Sequence, residues 1–238
     1  MCANAELSTV APAASVAPAQ FAAMGPPDGY AARGGLLPKG AYVRAVRPLL
    51  GAMLVALMAP PVAAAVALIA LVQLSAYRRL DEVFFLQTRA GQNGRPFRIV
   101  KFRTMELNAE GIPEPTPLGS LLRKSHLDEL PQLWNVVNGE MSLIGPRPET
   151  LDLEAWGEKE VPGFQSRLNM RPGITGLAQV VQDSTPAVAD LYREKLRLNR
   201  LYQAKVSLHL DLWILFRTAV RPVRPRVFDH SILKPERV

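Results

Sequence analysis

Residues 121–149, which read LLRKSHLDELPQLWNVVNGEMSLIGPRPE, contain the clearest structural signals of the sequence. Apolar residues recur there at i, i+3, i+4 and i+7, the spacing of one helix face: Leu130, Leu133, Trp134 and Val137. Pro131 is tolerated only in the first turn of a helix, so the helix is predicted to begin at about Asp128 or Glu129. Asn138-Gly139 then provides the signal for its C-terminal end.

Asp128 and Glu129 are adjacent acids at the start of this predicted helix. Asp128 is predicted to lie at or near the N-cap, where unpaired amides and the positive end of the helix dipole favour an ionised carboxylate. The same position favours a phosphate. The pair alone allows two interpretations, a cap followed by a first-turn acid or a site for phosphate chemistry. Carboxylates combined with phosphates are the usual environment of Mg²⁺.

Arg147 lies between two prolines in Gly145–Pro148, close after the acid pair. Proline fixes its own φ and restricts the residue before it, so the backbone of Arg147 is predicted to be extended and its guanidinium pre-aimed. Arginine suits forked contacts with phosphate oxygens. A purely structural arginine is the alternative that the residues leave open.

An uncharged, apolar segment runs from Leu49 to Leu74 and is long enough to cross a hydrocarbon core of ~30 Å. Pro60-Pro61 lies near its middle and is predicted to break the helix. Basic residues flank both ends: Lys39, Arg44, Arg47, Arg78 and Arg79. Because basic flanks stay on the cytoplasmic side, a helix that enters, bends and returns fits both observations. A plain transmembrane anchor and a buried soluble helix are the alternatives.

A hairpin is predicted next, with Asn93-Gly94 as its turn between Val83–Gln92 and Arg95–Thr104. Basic residues alternate with aromatic ones along it, a pattern that can bind single-stranded nucleic acid or lie against anionic headgroups. No recognised nucleic-acid module accompanies the pattern. We therefore expect no nucleic-acid partner.

Composition narrows the function further. The 238 residues carry a net charge of +7, which favours a phosphate-rich partner such as an anionic membrane or a nucleotide. Cys2 is the only cysteine, so a disulfide framework is excluded and a reducing, cytosolic setting fits. The sequence contains neither a Walker-type phosphate loop nor a Gly-x-Ser-x-Gly elbow. Adjacent acids seldom reach the ~5–10 Å separation that glycoside hydrolysis requires.

Several motifs together resemble the bacterial sugar transferases, the monotopic phosphoglycosyl transferases also called polyprenyl-phosphate sugar-1-phosphate transferases. The motifs that carry the resemblance are Leu127–Val136, Gly139–Glu149, Lys101–Met105 (KFRTM) and Arg171–Gly176 (RPGITG). The resemblance runs from about Arg44 to Val220. One departure is Asp81-Glu82, where the family has Gly-Pro, and it concerns the entry of the first strand. Another is at 181–183, a segment that bears on sugar recognition, so the transferred sugar stays open.

The resemblance implies transfer of a sugar 1-phosphate from a UDP-sugar to a polyprenyl phosphate, with release of UMP. Asp128 would be the nucleophile that forms an aspartyl phosphosugar, and Glu129 would assist metal and proton handling. Both acids would hold Mg²⁺. Four basic residues would bind the donor's oxygens: Arg147, Arg171, Lys101 and Arg103. The alternative is a non-catalytic, membrane-associated scaffold or regulator that retains the fold.

The expected fold class is α+β, a membrane re-entrant N-terminal helix followed by a compact, helix-rich catalytic domain with a short β-hairpin. Four segments are predicted: a disordered Ala/Pro-rich tail (1–40), the re-entrant helix (41–79), the catalytic domain (80–222) and a basic tail (223–238). The expected location is the cytoplasmic face of the bacterial inner membrane, in contact with its lipids. A homodimer is also compatible with the sequence.

Overall fold

The computed structural model describes residues 40–109, 111–182 and 187–220. The predicted basic tail at 223–238 lies outside the described residues, as does the predicted N-terminal tail apart from Gly40. The α-helices are α1 Arg47–Tyr77, α2 Pro117–Ser125, α3 Leu133–Val137, α4 Leu151–Glu160, α5 Leu177–Val181, α6 Ala189–Lys205 and α7 Leu208–Val220. The strands are β1 Phe84–Ala90, β2 Pro96–Phe102, β3 Met105–Leu107, β4 Pro113–Pro115, β5 Ser142–Ile144 and β6 Gly173–Thr175. This helix-rich mixture with short strand pairs agrees with the expected α+β class.

Helix α1 continues through both prolines for 31 residues and follows a π-helical turn at Tyr42–Val46. The predicted break at Pro60-Pro61 is therefore wrong. The φ of proline is compatible with a helix, and the two missing N–H groups remove only two hydrogen bonds. The stretch Tyr42–Tyr77 is long and apolar enough to cross a membrane, and only 6% of its most apolar window is buried.

The predicted hairpin is confirmed as β1 and β2, which pair antiparallel with Phe84 opposite Phe102 and Ala90 opposite Pro96. Its turn is longer than the predicted two residues because the strands stop at Ala90 and resume at Pro96. Asn93 and Gly94 both have positive φ, at 56° and 73°, in keeping with the turn signal that they gave. A second, smaller antiparallel pair, β3 and β4, follows directly.

The segment of the acid pair is helical, but it is divided into two short elements. A 3₁₀ helix occupies Leu127–Gln132, and α3 begins only at Leu133. The preceding residue, His126, has a left-handed backbone with φ 57° and ends α2. The prediction of one α-helix from Asp128 is therefore corrected: Pro131 lies inside the 3₁₀ helix and cannot donate the hydrogen bond that an α-helix needs there.

A parallel pair, β5 and β6, brings the Arg147 loop beside the Arg-Pro-Gly loop. The approach is so close that a Cβ on Gly173 would lie 2.1 Å from the Gly145 nitrogen. The strand β5 and the helices α5, α6 and α7 contribute most of the largest buried cluster among the described residues. Its members are Ile144, Met170, Leu177, Ala178, Val180, Leu198, Tyr202, Val206 and Ile214. The loop that presents Arg147 is thus anchored on the core of the molecule.

Candidate active site

A cleft of about 1880 Å³ collects most of the predicted site residues. Its walls come from α1, both hairpins, the 3₁₀ helix of the acid pair and the Arg147 loop. Six charged residues matter for the argument below, and all of them line this cleft: Arg89, Lys101, Arg103, Asp128, Glu129 and Arg147. On the α1 side the lining is apolar, with Leu54, Met58 and Val62.

Asp128 lies in the first turn of the 3₁₀ helix with a half-buried side chain. Within the described part of the chain, no group donates a hydrogen bond to its carboxylate. Asp128 lies near the N-cap, as predicted, but it is not the N-cap itself, because His126 precedes the helix and Asp128 is already inside its first turn. Burial, and secondly the charge of Glu129, raise the pKa of Asp128 above its ordinary value.

Glu129 is bound by two cations that come from distant parts of the chain. Lys101 Nζ lies 2.8 Å from Glu129 Oε1. Arg147 donates to both carboxylate oxygens, through Nη2 to Oε1 and through Nη1 to Oε2 at 3.2 Å. Burial alone would raise the pKa of Glu129, but the charges and hydrogen bonds of Arg147 and Lys101 outweigh it and hold this pKa well below its usual range.

The two acids therefore differ in chemical character. Glu129 is a fixed, ionised carboxylate that orients Lys101 and Arg147. Asp128 has a free and partly desolvated carboxylate at the same cleft. A carboxylate with a raised pKa and free lone pairs is the better nucleophile and the more available metal ligand.

The backbone around Arg147 is held by four hydrogen bonds, one to each of four successive carbonyl oxygens. The donors come from three separate parts of the chain. The bonds are Gly173 N to Pro146 O at 3.0 Å, Arg167 Nη1 to Arg147 O at 2.7 Å, Arg89 Nη1 to Pro148 O at 3.3 Å, and Ala90 N to Glu149 O at 3.0 Å. This arrangement supports the expectation that the guanidinium is pre-aimed.

The other predicted basic residues differ in their placement. Arg103 lines the cleft, and its Nε donates to the carbonyl oxygen of Glu82 at 2.9 Å. Arg171 has an exposed side chain and does not line the cleft. Its guanidinium lies beside Gly139, with Nη1 4.0 Å from the position that a Cβ atom would occupy on that glycine. The role of Arg171 in binding stays a prediction.

Sequence reasoning missed three cleft residues. Arg89 is largely buried, and its Nε has no hydrogen-bond partner among the described residues. Lys195 and Glu149 form a buried ion pair at the same cleft. Arg89 is one of several basic residues of the predicted hairpin, Glu149 ends the motif of the Arg147 loop, and Lys195 belongs to no motif. No sequence signal distinguishes them, and the fold brings them together at the site.

The residues present are compatible with a bound Mg²⁺. The described residues contain no group of three or more His, Cys, Asp or Glu side chains that could hold a metal by itself. Mg²⁺ commonly binds one or two carboxylates together with substrate phosphates, so such a cluster is not required. Asp128 offers free carboxylate oxygens, whereas Glu129 already accepts three of about four possible hydrogen bonds.

Comparison with known proteins identifies the family. The family model described as bacterial sugar transferase matches residues 41–224. UDP-N-acetylgalactosamine-undecaprenyl-phosphate N-acetylgalactosaminephosphotransferase of Aeromonas hydrophila is 43% identical over 145 residues, which are 57% of this chain and 34% of that protein. UDP-glucose:undecaprenyl-phosphate glucose-1-phosphate transferase of Caulobacter vibrioides is 39% identical over 145 residues, 56% of this chain and 54% of that protein.

A third relative, an exopolysaccharide production protein of Rhizobium leguminosarum, is 37% identical over 58% of this chain and 76% of its own length. The chain spans only about a third and about half of the first two relatives, so it corresponds to one part of those proteins. The matched region contains the acid pair, the Arg147 loop, the hairpin and α1. The chain therefore belongs to the bacterial sugar transferase family.

Proposed function

We propose that this protein transfers a sugar 1-phosphate from a UDP-sugar to undecaprenyl phosphate and releases UMP. The observation that carries the proposal is the asymmetric acid pair, a free Asp128 beside a Glu129 that is paired with Lys101 and Arg147. Two of the relatives are named as undecaprenyl-phosphate transferases of this kind, which supports the same donor and acceptor classes here.

In the first step, an Asp128 oxygen attacks the phosphorus that bears the sugar. The new bond joins Asp128 to that phosphorus, and the bond between this phosphorus and the oxygen of the departing UMP breaks. In the second step, an oxygen of the polyprenyl phosphate attacks the same phosphorus and Asp128 leaves as a carboxylate. Two steps allow one small site to serve a soluble donor and a membrane-bound acceptor in turn.

Arg147 and Lys101 stabilise the negative charge that develops on the transferred group, because their positions are fixed before the substrate arrives. Glu129 holds both cations in place and keeps them from forming a competing pair with Asp128. When bound, Mg²⁺ would neutralise phosphate charge, with Asp128 and the donor's phosphates as its main ligands and Glu129 beside them.

The contacts of α1 support an arrangement in which both ends of this continuous helix lie on the same side of the membrane, rather than a spanning one. Near its start, Arg47 donates to Asp211 at 3.2 Å and to the Ile144 carbonyl at 2.7 Å. Near its end, Gln73 donates to the Arg103 carbonyl at 2.7 Å. Both ends of the helix are thus bonded to the same catalytic domain. Because a spanning helix places its ends on opposite sides of the bilayer, we infer that both ends lie at the cytoplasmic face.

Exposed apolar side chains supply the surface that would enter the lipid. Those on α1 are Leu49, Met53, Leu57, Met58, Leu68, Leu71 and Val72. A second stripe runs along α7 at four-residue spacing and consists of Leu208, Leu212 and Phe216. We propose that these faces lie in one leaflet of the inner membrane and that α7 is an interfacial helix.

The test is a UMP-release assay with purified protein, undecaprenyl phosphate and a panel of UDP-sugars. We expect one or a few UDP-sugars to give many equivalents of UMP per protein when undecaprenyl phosphate is present, and no more than one equivalent without it. The Asp128→Asn variant serves as the matched control. Absence of UMP with every UDP-sugar would favour the alternative, a membrane-associated scaffold that retains the fold.

A further inference from the structure

Arg167 is an arginine without any exposed side-chain surface, and it contacts the backbone of Arg147. Its Nη1 donates to the Arg147 carbonyl oxygen at 2.7 Å. Its Nη2 is paired with Glu154, which is equally inaccessible to solvent. One face of its guanidinium lies 4.4 Å from the centroid of the Phe164 ring. The direction of this guanidinium is thus fixed by three separate contacts.

Stability alone does not account for this buried pair. Replacing a buried ion pair by apolar residues of similar volume is often neutral or stabilising, because the desolvation of both charges is costly. Burial raises the pKa of Glu154 to about 7 in spite of the positive charge of Arg167. The pair therefore calls for a role beyond packing.

The geometry of the Arg147–Pro148 peptide unit indicates that role. Pro148 has no N–H group, so the carbonyl oxygen of Arg147 is the only backbone polar atom of this unit that a hydrogen bond can hold. Arg167 donates to that atom. At its other end, the Arg147 side chain is held by Glu129. Arg147 is therefore anchored once at its backbone and once at its guanidinium.

We propose that Arg167, oriented by Glu154, is a positioning residue for Arg147: it fixes the carbonyl of Arg147 and thereby the direction in which the Arg147 side chain enters the cleft. The inference rests on the proposed function, in which Arg147 binds a phosphate of the donor. Arg167 itself does not line the cleft.

The test replaces the ion pair as a unit, with the double variant Arg167→Met and Glu154→Leu, so that no buried charge is left unpaired. We expect this protein to fold and its kcat/KM for UMP release to fall by roughly 10- to 100-fold, the scale of a misplaced binding group. In an Arg147→Lys background the same replacement should add no more than about a 2-fold loss, because coupled residues are not additive. If the loss of kcat/KM in the combined variant instead equals the product of the losses from the ion-pair replacement and from Arg147→Lys, the proposal is overturned.

Arg200→Met is the matched control. Arg200 braces the 3₁₀ helix Phe164–Asn169, which contains Arg167, through Ser166 Oγ at 3.2 Å and the carbonyl of Gly163 just before the helix at 3.2 Å. It has no contact with the Arg147 loop in the described structure. Its effect on activity should be small, and it should combine additively with Arg147→Lys. A control that couples to Arg147 as strongly as the Arg167 replacement would show that only general packing is involved.

Hydrogen exchange provides a readout that does not depend on activity. Peptides covering residues 143–150 should exchange faster in the Arg167 and Glu154 double variant than in the wild type or in Arg200→Met. Unchanged exchange there would overturn the inference even if activity fell. A wild-type protein that releases no UMP would instead defeat the proposed function, while the exchange comparison would still decide whether Arg167 holds the loop. If that double variant does not fold, Arg167→Gln combined with Glu154→Gln, which also removes both buried charges, provides the same comparison.

Discussion

Asp128 and Glu129 are neighbours in the chain, yet their carboxylates have opposite environments. Glu129 accepts three hydrogen bonds from two cations, and Asp128 accepts none within the described residues. The difference arises because consecutive residues of a 3₁₀ helix point about 120° apart, so only one of the two acids faces Lys101 and Arg147. In the proposed mechanism, Glu129 therefore organises the site while Asp128 reacts.

Substitution of the two acids should affect activity unequally. Asp128→Asn keeps the shape and removes the nucleophile, so we expect a loss of ~10⁴-fold or more in kcat. Glu129→Gln should cost roughly 10²- to 10⁴-fold, because it weakens the hold on Lys101 and Arg147 without removing the attacking atom. Mass spectrometry after mixing wild-type protein with a UDP-sugar alone should show one phosphosugar on Asp128. An unchanged mass, with normal turnover in the full reaction, would replace the covalent mechanism by direct transfer.

The same variants should have opposite effects on stability. The folded pKa of Glu129 lies below its unfolded value, so its ionised form stabilises the fold above the ordinary pKa, and this contribution is lost as the pH falls toward the folded pKa. The folded pKa of Asp128 lies above its unfolded value, so its charge opposes folding near neutral pH. Thermal unfolding at about pH 7 should give a lower Tm for Glu129→Gln and an equal or higher Tm for Asp128→Asn. A lower Tm for both would contradict these environments.

Arg147→Lys should not behave as a conservative change. A lysine cannot donate to both oxygens of Glu129 in the planar fork that Arg147 makes. We expect at least a ~10-fold loss of kcat/KM, equivalent to ~1.4 kcal/mol of transition-state stabilisation. Arg98→Lys, an exposed position on β2, is the matched control and should retain activity. Near-normal turnover in Arg147→Lys would make Arg147 a structural residue.

At the scale of elements, the sequence predicted what depends on local signals. The β1–β2 hairpin follows from its turn residues, and the helical character of the acid segment follows from apolar spacing. The partners of Glu129 could not be predicted in the same way, because Lys101 and Arg147 lie 28 and 18 residues away and only packing brings them together. The continuity of α1 was missed because proline was weighed as a helix breaker without regard to its compatible φ.

The topology of α1 is open to a direct test. After Cys2 is replaced, single cysteines at Gly40 and Arg79 should both be protected from a membrane-impermeant label in intact cells and should react after permeabilisation. The expectation follows from the contacts of Arg47 and Gln73 with one catalytic domain. Labelling of position 40 alone from outside would indicate a spanning helix. Replacing Pro60 and Pro61 by Leu should shift the population toward that state, because the prolines weaken the helix at mid-membrane depth.

At the scale of the whole molecule, the cleft joins a charged site to an apolar helix. Asp128 lines it on one side, and Leu54, Met58 and Val62 of α1 line it on another. In the proposed reaction, a soluble UDP-sugar would need only the charged side, whereas a polyprenyl phosphate would have to bring its chain past apolar surface. The two substrates should therefore differ in their dependence on α1.

Met58→Trp tests this difference, because a larger side chain at the apolar wall obstructs the lipid and leaves Asp128, Lys101 and Arg147 in place. We expect steady-state turnover with undecaprenyl phosphate to fall by about 10-fold or more, the usual scale when a binding group is displaced. A single-turnover burst of UMP from the UDP-sugar alone should stay within about 2-fold of the wild type, since that step does not involve the lipid. Met53→Trp is the matched control, an α1 position with 60% exposure that does not line the cleft. If the burst and the steady state fall together, the apolar wall serves the donor as well, and the assignment of α1 to the acceptor is wrong.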